Sequence, residues 1–334
     1  MIGSNTSRAR WVSLAGLGAL LLWSVSGCAA ARRPIYRPSP GQPVDMTCAQ
    51  AAADQGDWSR AAALWNELFL RGGDDRVLAC RETARALAEL GDHESAQAVL
   101  ELGLRRDPGH PALLEMQGDV LAQMGFRRAA EAAYVQALDA DPDRAHALLE
   151  LARVRIDLGR EPLALEALRK RLALGAGDAE TYLLRARALA ACNQPEQAYD
   201  SFVKAFELGA DDPFFLVSAA CLSFDERMQS SPACRQQSIE WLQLAVESDP
   251  QLTLAHFYLG VMCEEAGRLE AALAHYERAV ETDPGHGPAL TRLARALAAL
   301  DRDERAADIA ARALEHETDP GQRAFLKRLA STVP

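Results

Sequence analysis

Several arginines of this acidic sequence recur at a regular interval that suggests a binding chemistry. Arg153 and Arg187 are separated by one such interval, and Arg85 and Arg153 are separated by twice that interval. A guanidinium is planar and donates two parallel hydrogen bonds, which suits it to bind carboxylates. The sequence therefore predicts a carboxylate-binding row. Its members are Arg81, Arg85, Arg153, Arg187 and Arg295.

Three phenylalanines, Phe214, Phe224 and Phe257, follow most of these arginines along the chain. Apolar side chains on an accessible face mark a contact site, so we predict that they extend the same binding surface. Two alternatives stay open. The phenylalanines can serve as packing between neighbouring helices. The arginines can instead form salt bridges with nearby acids such as Glu115, Asp119 and Asp157.

Catalytic and metal-binding patterns are absent from the sequence. It holds no G-x-x-x-x-G-K-[ST], no G-x-S-x-G and no H-E-x-x-H pattern. Its seven histidines are scattered, and the Glu264–Glu265 pair is best interpreted as a solvated or groove-lining helix end. We therefore predict that the chain is not an enzyme and that it has no catalytic residue, metal or cofactor.

Seven cysteines need an account of their own. No C-x-x-C pattern occurs, which argues against zinc or thioredoxin-like chemistry. Two pairs, Cys48 with Cys80 and Cys221 with Cys234, lie at positions that a disulfide could join in an oxidising compartment. The alternative is that they are small buried apolar residues.

A period of about 34 residues organises the chain. Gly91, Gly125 and Gly159 are equally spaced at this period, and the pairs Asp107-Pro108 and Asp249-Pro250 each recur after the same interval. A period of this length indicates a repeat solenoid built from helix hairpins. A solenoid offers a long surface to another macromolecule and rarely a sealed pocket.

The segment 253–286 resembles the tetratricopeptide repeat (TPR) consensus at most diagnostic positions. The matching residues are Leu259, Gly260, Gly267, Ala272, Tyr276, Ala279 and Pro284, with His256 as a departure. Small residues at positions 8 and 20 let the two helices cross closely, while proline at position 32 ends the second helix. The same register gives eight units over residues 42–320. The resemblance implies an all-α, right-handed superhelical solenoid with a capping helix.

The resemblance also implies a concave groove lined by the first helix of each hairpin. The predicted arginines and phenylalanines fall on positions of that helix that face the groove. The peptide clamp of chaperone-linked relatives places lysine and asparagine where this chain has Met46 and Gln50, so that specificity is not carried over.

The amino terminus shows an export pattern. Arg8 and Arg10 precede an apolar stretch, and Val25-Ser26-Gly27-Cys28 follows it. This order resembles a bacterial lipobox, which implies lipidation of Cys28 and a membrane anchor. Ala29 favours the outer membrane, on its periplasmic side, in a Gram-negative cell. The alternatives are ordinary cleavage near residues 29–31, which would release a soluble protein, and an uncleaved single-pass anchor.

These interpretations divide the chain into four parts. They are a lipoprotein signal peptide (1–27), a lipidated cysteine with a Pro/Arg-rich tether (28–43), eight TPR units (44–320), and a capping helix with a tail (321–334). The formal net charge is −11, and removal of Arg8 and Arg10 with the signal peptide makes it about −13. Nucleic acid is therefore not expected as a partner.

We predict a scaffold or assembly adaptor of the cell envelope that holds a protein or peptide segment in its groove. The alternative is a recruiting or regulatory module for a peptidoglycan- or glycan-modifying enzyme that acts in trans.

Overall fold

The computed structural model describes residues 44–224 and 232–331, and within these ranges it contains seventeen α-helices and no β-strand. A single 3₁₀ turn, Leu222–Phe224, follows the eleventh helix. The helices are α1 Met46–Asp54, α2 Trp58–Arg71, α3 Arg76–Glu89, α4 His93–Arg106, α5 Pro111–Gln123, α6 Arg127–Ala140, α7 Ala145–Asp157, α8 Glu161–Ala173, α9 Ala179–Ala191, α10 Pro195–Glu207, α11 Pro213–Cys221, α12 Pro232–Ser248, α13 Thr253–Glu265, α14 Leu269–Thr282, α15 Gly287–Ala299, α16 Asp303–His316 and α17 Pro320–Ala330.

Consecutive helices pair into eight hairpins, from α1 with α2 to α15 with α16, and α17 packs on the last one. The chain divides into two compact units, Met1–Ala176 and Gly177–Pro334, which we call unit 1 and unit 2. The described part of unit 1 holds α1 to α8, and that of unit 2 holds α9 to α17. The prediction of an all-α repeat solenoid with eight hairpins and a closing helix is confirmed.

The turn inside each hairpin requires a left-handed backbone at one position. Five of the described hairpins place a glycine there, with positive φ: Gly56, Gly91, Gly125, Gly159 and Gly267. The fifth and eighth hairpins use Asn193 and Asp301 instead, with φ of 59° and 56°. These two are the non-glycine residues with positive φ in the described part of the chain. The register read from the sequence therefore holds even where the turn glycine is missing.

Asp301 offers a direct test of this turn conformation. A side chain with a Cβ is strained in the left-handed region, although Asp tolerates it better than most. We expect Asp301→Gly to raise the free energy of unfolding by a few tenths to about 1 kcal/mol. The control Asp303→Gly, in the first turn of α16, should lower it by roughly 0.5–1 kcal/mol. Urea unfolding measures both, and a loss of stability in Asp301→Gly would contradict the assigned turn.

In the third and seventh hairpins the two helices cross where the first helix has a glycine. A Cβ added to Gly118 or to Gly260 would lie 2.5 Å from the Cε1 atom of Tyr134 or Tyr276, respectively. Both tyrosine rings are fully buried. The alanines at position 20, such as Ala130 and Ala272, are fully buried as well. In these hairpins the glycine of the first helix leaves room for the large tyrosine ring of the second helix, so the two helices pack closely.

The helix α17 closes the apolar end of unit 2. Leu326 and Leu329 are buried against α15 and α16, while Lys327 and Arg328 are exposed. Arg323 is half-buried, and its guanidinium donates to the backbone oxygens of Leu314 (2.8 Å) and Glu317 at the end of α16. The polar outer face expected of a cap is present, but Arg323 stabilises the preceding helix end instead of facing solvent.

Candidate partner-binding surface

The predicted arginines of unit 1 are held by acids of their own helices. On α3, Arg81 donates to Glu82 with Nη2 at 2.7 Å, and Arg85 lies 3.4 Å from the same carboxylate. Glu82 is 5 % exposed, so its charge is balanced by these two guanidiniums. Arg85 also lies over the ring of Trp58, 6.0 Å from its centre. The two side chains remain accessible, but their charge is already compensated.

Arg153 on α7 is in the same situation. Its Nε lies 3.1 Å from Glu150, one helical turn earlier. The salt-bridge alternative therefore applies to the arginines of unit 1, but with other acids than the examples given from the sequence. The expected acids bind other groups: Glu115 pairs with Arg144, Asp119 with Tyr134 and His146, and Asp157 with Arg127.

Acidic side chains occupy the middle of the first helices of unit 1. The Tyr134 hydroxyl donates to Asp119 at 2.7 Å, and His146 lies 3.3 Å from the same carboxylate. Burial first, and then Asp119, raise the pKa of Tyr134 far above its ordinary value. The hydrogen bond to Asp119 raises the pKa of His146. Asp119 stands at the same repeat position as Arg85 and Arg153, so this position carries an acid that is already paired within unit 1.

Unit 2 differs, because its predicted arginines are unpaired. Arg187 on α9 and Arg295 on α15 are exposed, and neither has an ion pair among the described residues. Neither has an acid three or four residues away on its helix, the spacing at which a cis partner would sit. No acidic side chain of the described residues therefore compensates their charge.

Exposed apolar side chains occur on the two first helices between these arginines. Phe214 on α11 is 62 % exposed and Leu254 on α13 is 41 % exposed. Both stand at position 2 of their repeats, so they occupy equivalent places on neighbouring helices that contact each other. We call the surface defined by Arg187, Phe214, Leu254 and Arg295 the unit 2 strip.

The other predicted phenylalanines serve mainly as packing. Phe224 is half-buried, with its ring centre 5.3 Å from that of Tyr258. Phe257 is half-buried too, with ring centres at 5.1 Å from both Tyr258 and His286. The packing alternative therefore applies to these two residues, whereas Phe214 is accessible. The three phenylalanines were predicted to be equivalent because all of them stand at groove-facing positions. The sequence alone does not show which of these side chains is covered by residues of the neighbouring repeat.

Charge is distributed unevenly between the two layers of unit 2. Its first helices α9, α11, α13 and α15 carry four arginines and three glutamates. Its second helices α10, α12, α14 and α16 carry twelve acidic and five basic residues. One of the first-helix acids, Glu264, accepts from the Tyr276 hydroxyl at 2.6 Å and pairs with Arg292 at 3.0 Å. The first-helix layer is therefore the less acidic side of an acidic unit.

Three histidines, two in the seventh hairpin and one that caps α15 and contacts Phe257, were not predicted as a group from the sequence, and we call them the histidine cluster. His256 is buried, with Nε2 at 3.2 Å from the oxygen of Pro250, and its ring centre is 5.8 Å from that of His275. His286 accepts the amide hydrogen of Ala289 on Nδ1 and so caps α15. Burial is the first cause that lowers the pKa of His275 and of His286. The departure of His256 from the repeat consensus was the signal that could have revealed the cluster.

The cluster predicts that unit 2 loses stability in mild acid. A histidine with a lowered pKa binds fewer protons when folded, so its destabilising effect grows as pH falls below about 6.5. His146 in unit 1 has a raised pKa and acts in the opposite direction. The variant His275→Gln with His286→Asn keeps a cap and removes both titrations. Between pH 7.5 and pH 5.5, roughly one unit on either side of the ordinary histidine pKa, the thermal midpoint of this variant should fall less than that of the parent. An equal fall in the two proteins would contradict the prediction.

The described cysteines are all thiols. Within residues 44–224 and 232–331 none of the six forms a disulfide, so neither predicted pair is bridged. Cys80 is buried, with Sγ 3.4 Å from the oxygen of Val99, and burial raises the pKa of its thiol to about 11. Burial also raises the pKa of Cys221 and of Cys234. These thiols stay protonated at neutral pH, which fits small apolar packing residues.

Among the described residues no cluster of histidine, cysteine or carboxylate side chains could hold a metal ion. None of the helices in those ranges combines the length and apolar character that crossing a bilayer needs. The predicted lipidation site, Cys28, lies outside the described residues.

The repeat pattern matches known families of proteins. Two family models, each described as tetratricopeptide repeat, match residues 48–111, 115–179 and 240–287 in one case and residues 265–329 in the other. These matches span more than half of the chain. The chain belongs to the tetratricopeptide repeat family. Among curated proteins, none matches it.

Solved structures agree with the TPR assignment at the level of the fold. The C-terminal part of a TPR protein from Cytophaga hutchinsonii is 18 % identical, with a TM-score of 0.55 over 72 % of this chain and 96 % of that one. YrrB, described as a TPR protein with an unusual peptide-binding site, is 20 % identical, with a TM-score of 0.51 over 57 % of this chain and 95 % of its own. A chain of the APC/C heterotetramer Cut9–Hcn1 is 14 % identical, with a TM-score of 0.50 over 81 % of this chain and 52 % of that chain.

Proposed function

We propose that this TPR protein is a non-catalytic interaction scaffold of the bacterial cell envelope, anchored to a membrane by a lipid on Cys28, that holds a segment of a partner protein on its first helices. The family assignment supports the scaffold role, because TPR repeats serve to bind proteins. The peptide-binding site ascribed to YrrB is consistent with a partner that is itself a peptide segment.

One observation supports the proposal most strongly. The exposed side chains Phe214 and Leu254 stand at equivalent positions of adjacent first helices in unit 2. Large apolar groups that a fold leaves uncovered at matching positions are the usual mark of a protein contact. The lipid anchor is supported by the Val25-Ser26-Gly27-Cys28 order in the sequence. Several acyl chains would make the attachment stable where one is marginal.

Co-purification tests this function. The full-length chain with a carboxy-terminal tag is purified in detergent from the membranes of a bacterium that naturally carries it. Bound proteins are then identified by mass spectrometry. The control is Phe214→Glu with Leu254→Glu, which changes two exposed side chains and leaves the core intact.

The scaffold role predicts an envelope protein that is recovered with the parent and reduced with the control. Recovery of only a hydrolase or transferase of cell-wall glycans would favour the alternative, a recruiting module that acts in trans. If no envelope protein is recovered in larger amount with the parent than with the Phe214→Glu and Leu254→Glu variant, both functions are contradicted.

A further inference from the structure

The two arginines of the unit 2 strip are the uncompensated members of a repeated position. Position 9 of the first helix carries Arg85 and Arg153 in unit 1 and Arg187 and Arg295 in unit 2. The first two have an acid three residues earlier and pair with it. The other two have leucine and arginine at that place and no ion pair among the described residues. Arginines at the same repeat position are therefore paired with an acid in unit 1 and not paired with one in unit 2.

The two first helices between these arginines each expose a large apolar side chain at position 2. In hairpin order, α9 with Arg187 is followed by α11 with Phe214, α13 with Leu254 and α15 with Arg295. The helix α11 has no charged residue at all. The strip thus has a positive charge at each end and an accessible apolar centre.

We infer that the unit 2 strip binds a protein segment with an apolar centre and carboxylates on both sides of it. The apolar side chains of the segment seat on Phe214 and Leu254, and its carboxylates pair with Arg187 and Arg295. This inference rests on the proposed function and names the partner chemistry and the place where it binds. The acidic second helices of unit 2 repel the carboxylates of such a segment. The charge distribution therefore favours binding to the first helices over binding to the second helices.

The length of the segment follows from helix packing. Axes of packed helices lie about 8–10 Å apart, so the three steps from α9 to α15 amount to roughly 25–30 Å. Phe214 and Leu254 are at position 2, seven residues before the position of the arginines, which amounts to about 10 Å along the helix axis. A path through all four side chains is therefore roughly 35–40 Å long, and an extended chain at about 3.3 Å per residue needs about eleven or twelve residues to cover it. A helix of that length would cover only about half the distance, which favours an extended segment.

Equilibrium binding of a synthetic peptide tests the inference. The probe is a fluorescein-labelled peptide of about eleven residues, with a Leu-Phe-Leu centre, two serines on each side of that centre and two aspartates at each end. A second peptide has lysines in place of the aspartates. The protein is the full-length chain in detergent, and fluorescence anisotropy gives Kd. The test variant is Arg187→Gln with Arg295→Gln. The matched control, at the same repeat position, is Arg85→Gln with Arg153→Gln.

The parent should bind the acidic peptide and bind the lysine peptide at least about tenfold more weakly. The unit 2 variant should weaken binding of the acidic peptide about tenfold at low salt and less at high salt, because exposed charge contacts are screened. The unit 1 variant should leave Kd unchanged within about twofold. Phe214→Ser with Leu254→Ser should weaken binding about tenfold at either salt concentration.

Four results would overturn the inference: equal binding of the two peptides, equal losses in the two arginine variants, no binding of the acidic peptide, or occupation of the strip by a second copy of the chain. Sedimentation of the parent and of the Phe214→Ser with Leu254→Ser variant detects the last case. Each of these leaves the scaffold role standing if an envelope protein still co-purifies with the chain. The two claims therefore fail separately.

Discussion

Gly260→Ala is expected to destabilise unit 2, although alanine is the better helix former. The added methyl group would lie 2.5 Å from Cε1 of the buried ring of Tyr276, closer than any real contact of this kind. Overpacking of a well-packed interior costs about 1–3 kcal/mol. Alanine would otherwise gain about 1 kcal/mol over glycine inside a helix. The sign of the effect thus tells whether the ring or the helix propensity dominates, and thermal or urea unfolding measures it.

A second-site change makes this test specific. In a Tyr276→Leu background the ring is gone, so Gly260→Ala should become neutral or stabilising, and the two changes should couple in a double-mutant cycle. Gly118→Ala with Tyr134→Leu repeats the cycle in unit 1, where the distance is the same. Ala272→Leu, at another fully buried crossing position, should also cost about 1–3 kcal/mol. Additive effects of Gly260→Ala and Tyr276→Leu would mean that the crossing is looser than the structure shows.

Cys28→Ser is expected to abolish attachment of lipid to the chain. Serine has no thiol to take the diacylglycerol group, so the change should stop both acylation and cleavage at this position. The measurement is metabolic labelling with a fatty acid in a bacterium, together with the size of the product on a gel.

The chain contains its own control for this experiment. Cys48→Ser removes the thiol next in sequence, one that forms no disulfide, and should leave labelling and cleavage as in the parent. Undiminished labelling of the Cys28→Ser protein would contradict the lipoprotein proposal. No labelling of the parent, together with normal cleavage of both the parent and the Cys28→Ser protein, would instead indicate an ordinary secreted protein.

The repeat register was predictable because a few residues fix the geometry of each hairpin. Gly118 and Gly260 mark the crossings, and their tyrosines mark the rings that fill them. At two turns Asn193 and Asp301 take the place of glycine, since both residue types tolerate a left-handed backbone. The crossing and the turn each require a particular residue type at one position, so both can be recognised in the sequence.

The candidate surface was predictable only in part. The salt bridges of Arg85 and Arg153 run to acids three residues earlier, and that spacing was visible in the sequence. The burial of Phe257 was not visible, because it depends on Tyr258, Tyr276 and His286, which reach it from its own and two other elements. Contacts between repeats depend on how neighbouring helices pack. The repeat position of a single residue does not show this packing.

The central claim is that unit 2 of this chain holds a partner protein on its first helices. In-cell photo-crosslinking tests it most directly, with a photo-reactive phenylalanine placed singly at Phe214, at Leu254 and at Leu244. All three are exposed, but Leu244 lies on the second helix α12. The account predicts that one envelope protein is crosslinked from Phe214 and Leu254 and not from Leu244. Crosslinking of that protein from Leu244 alone would contradict it.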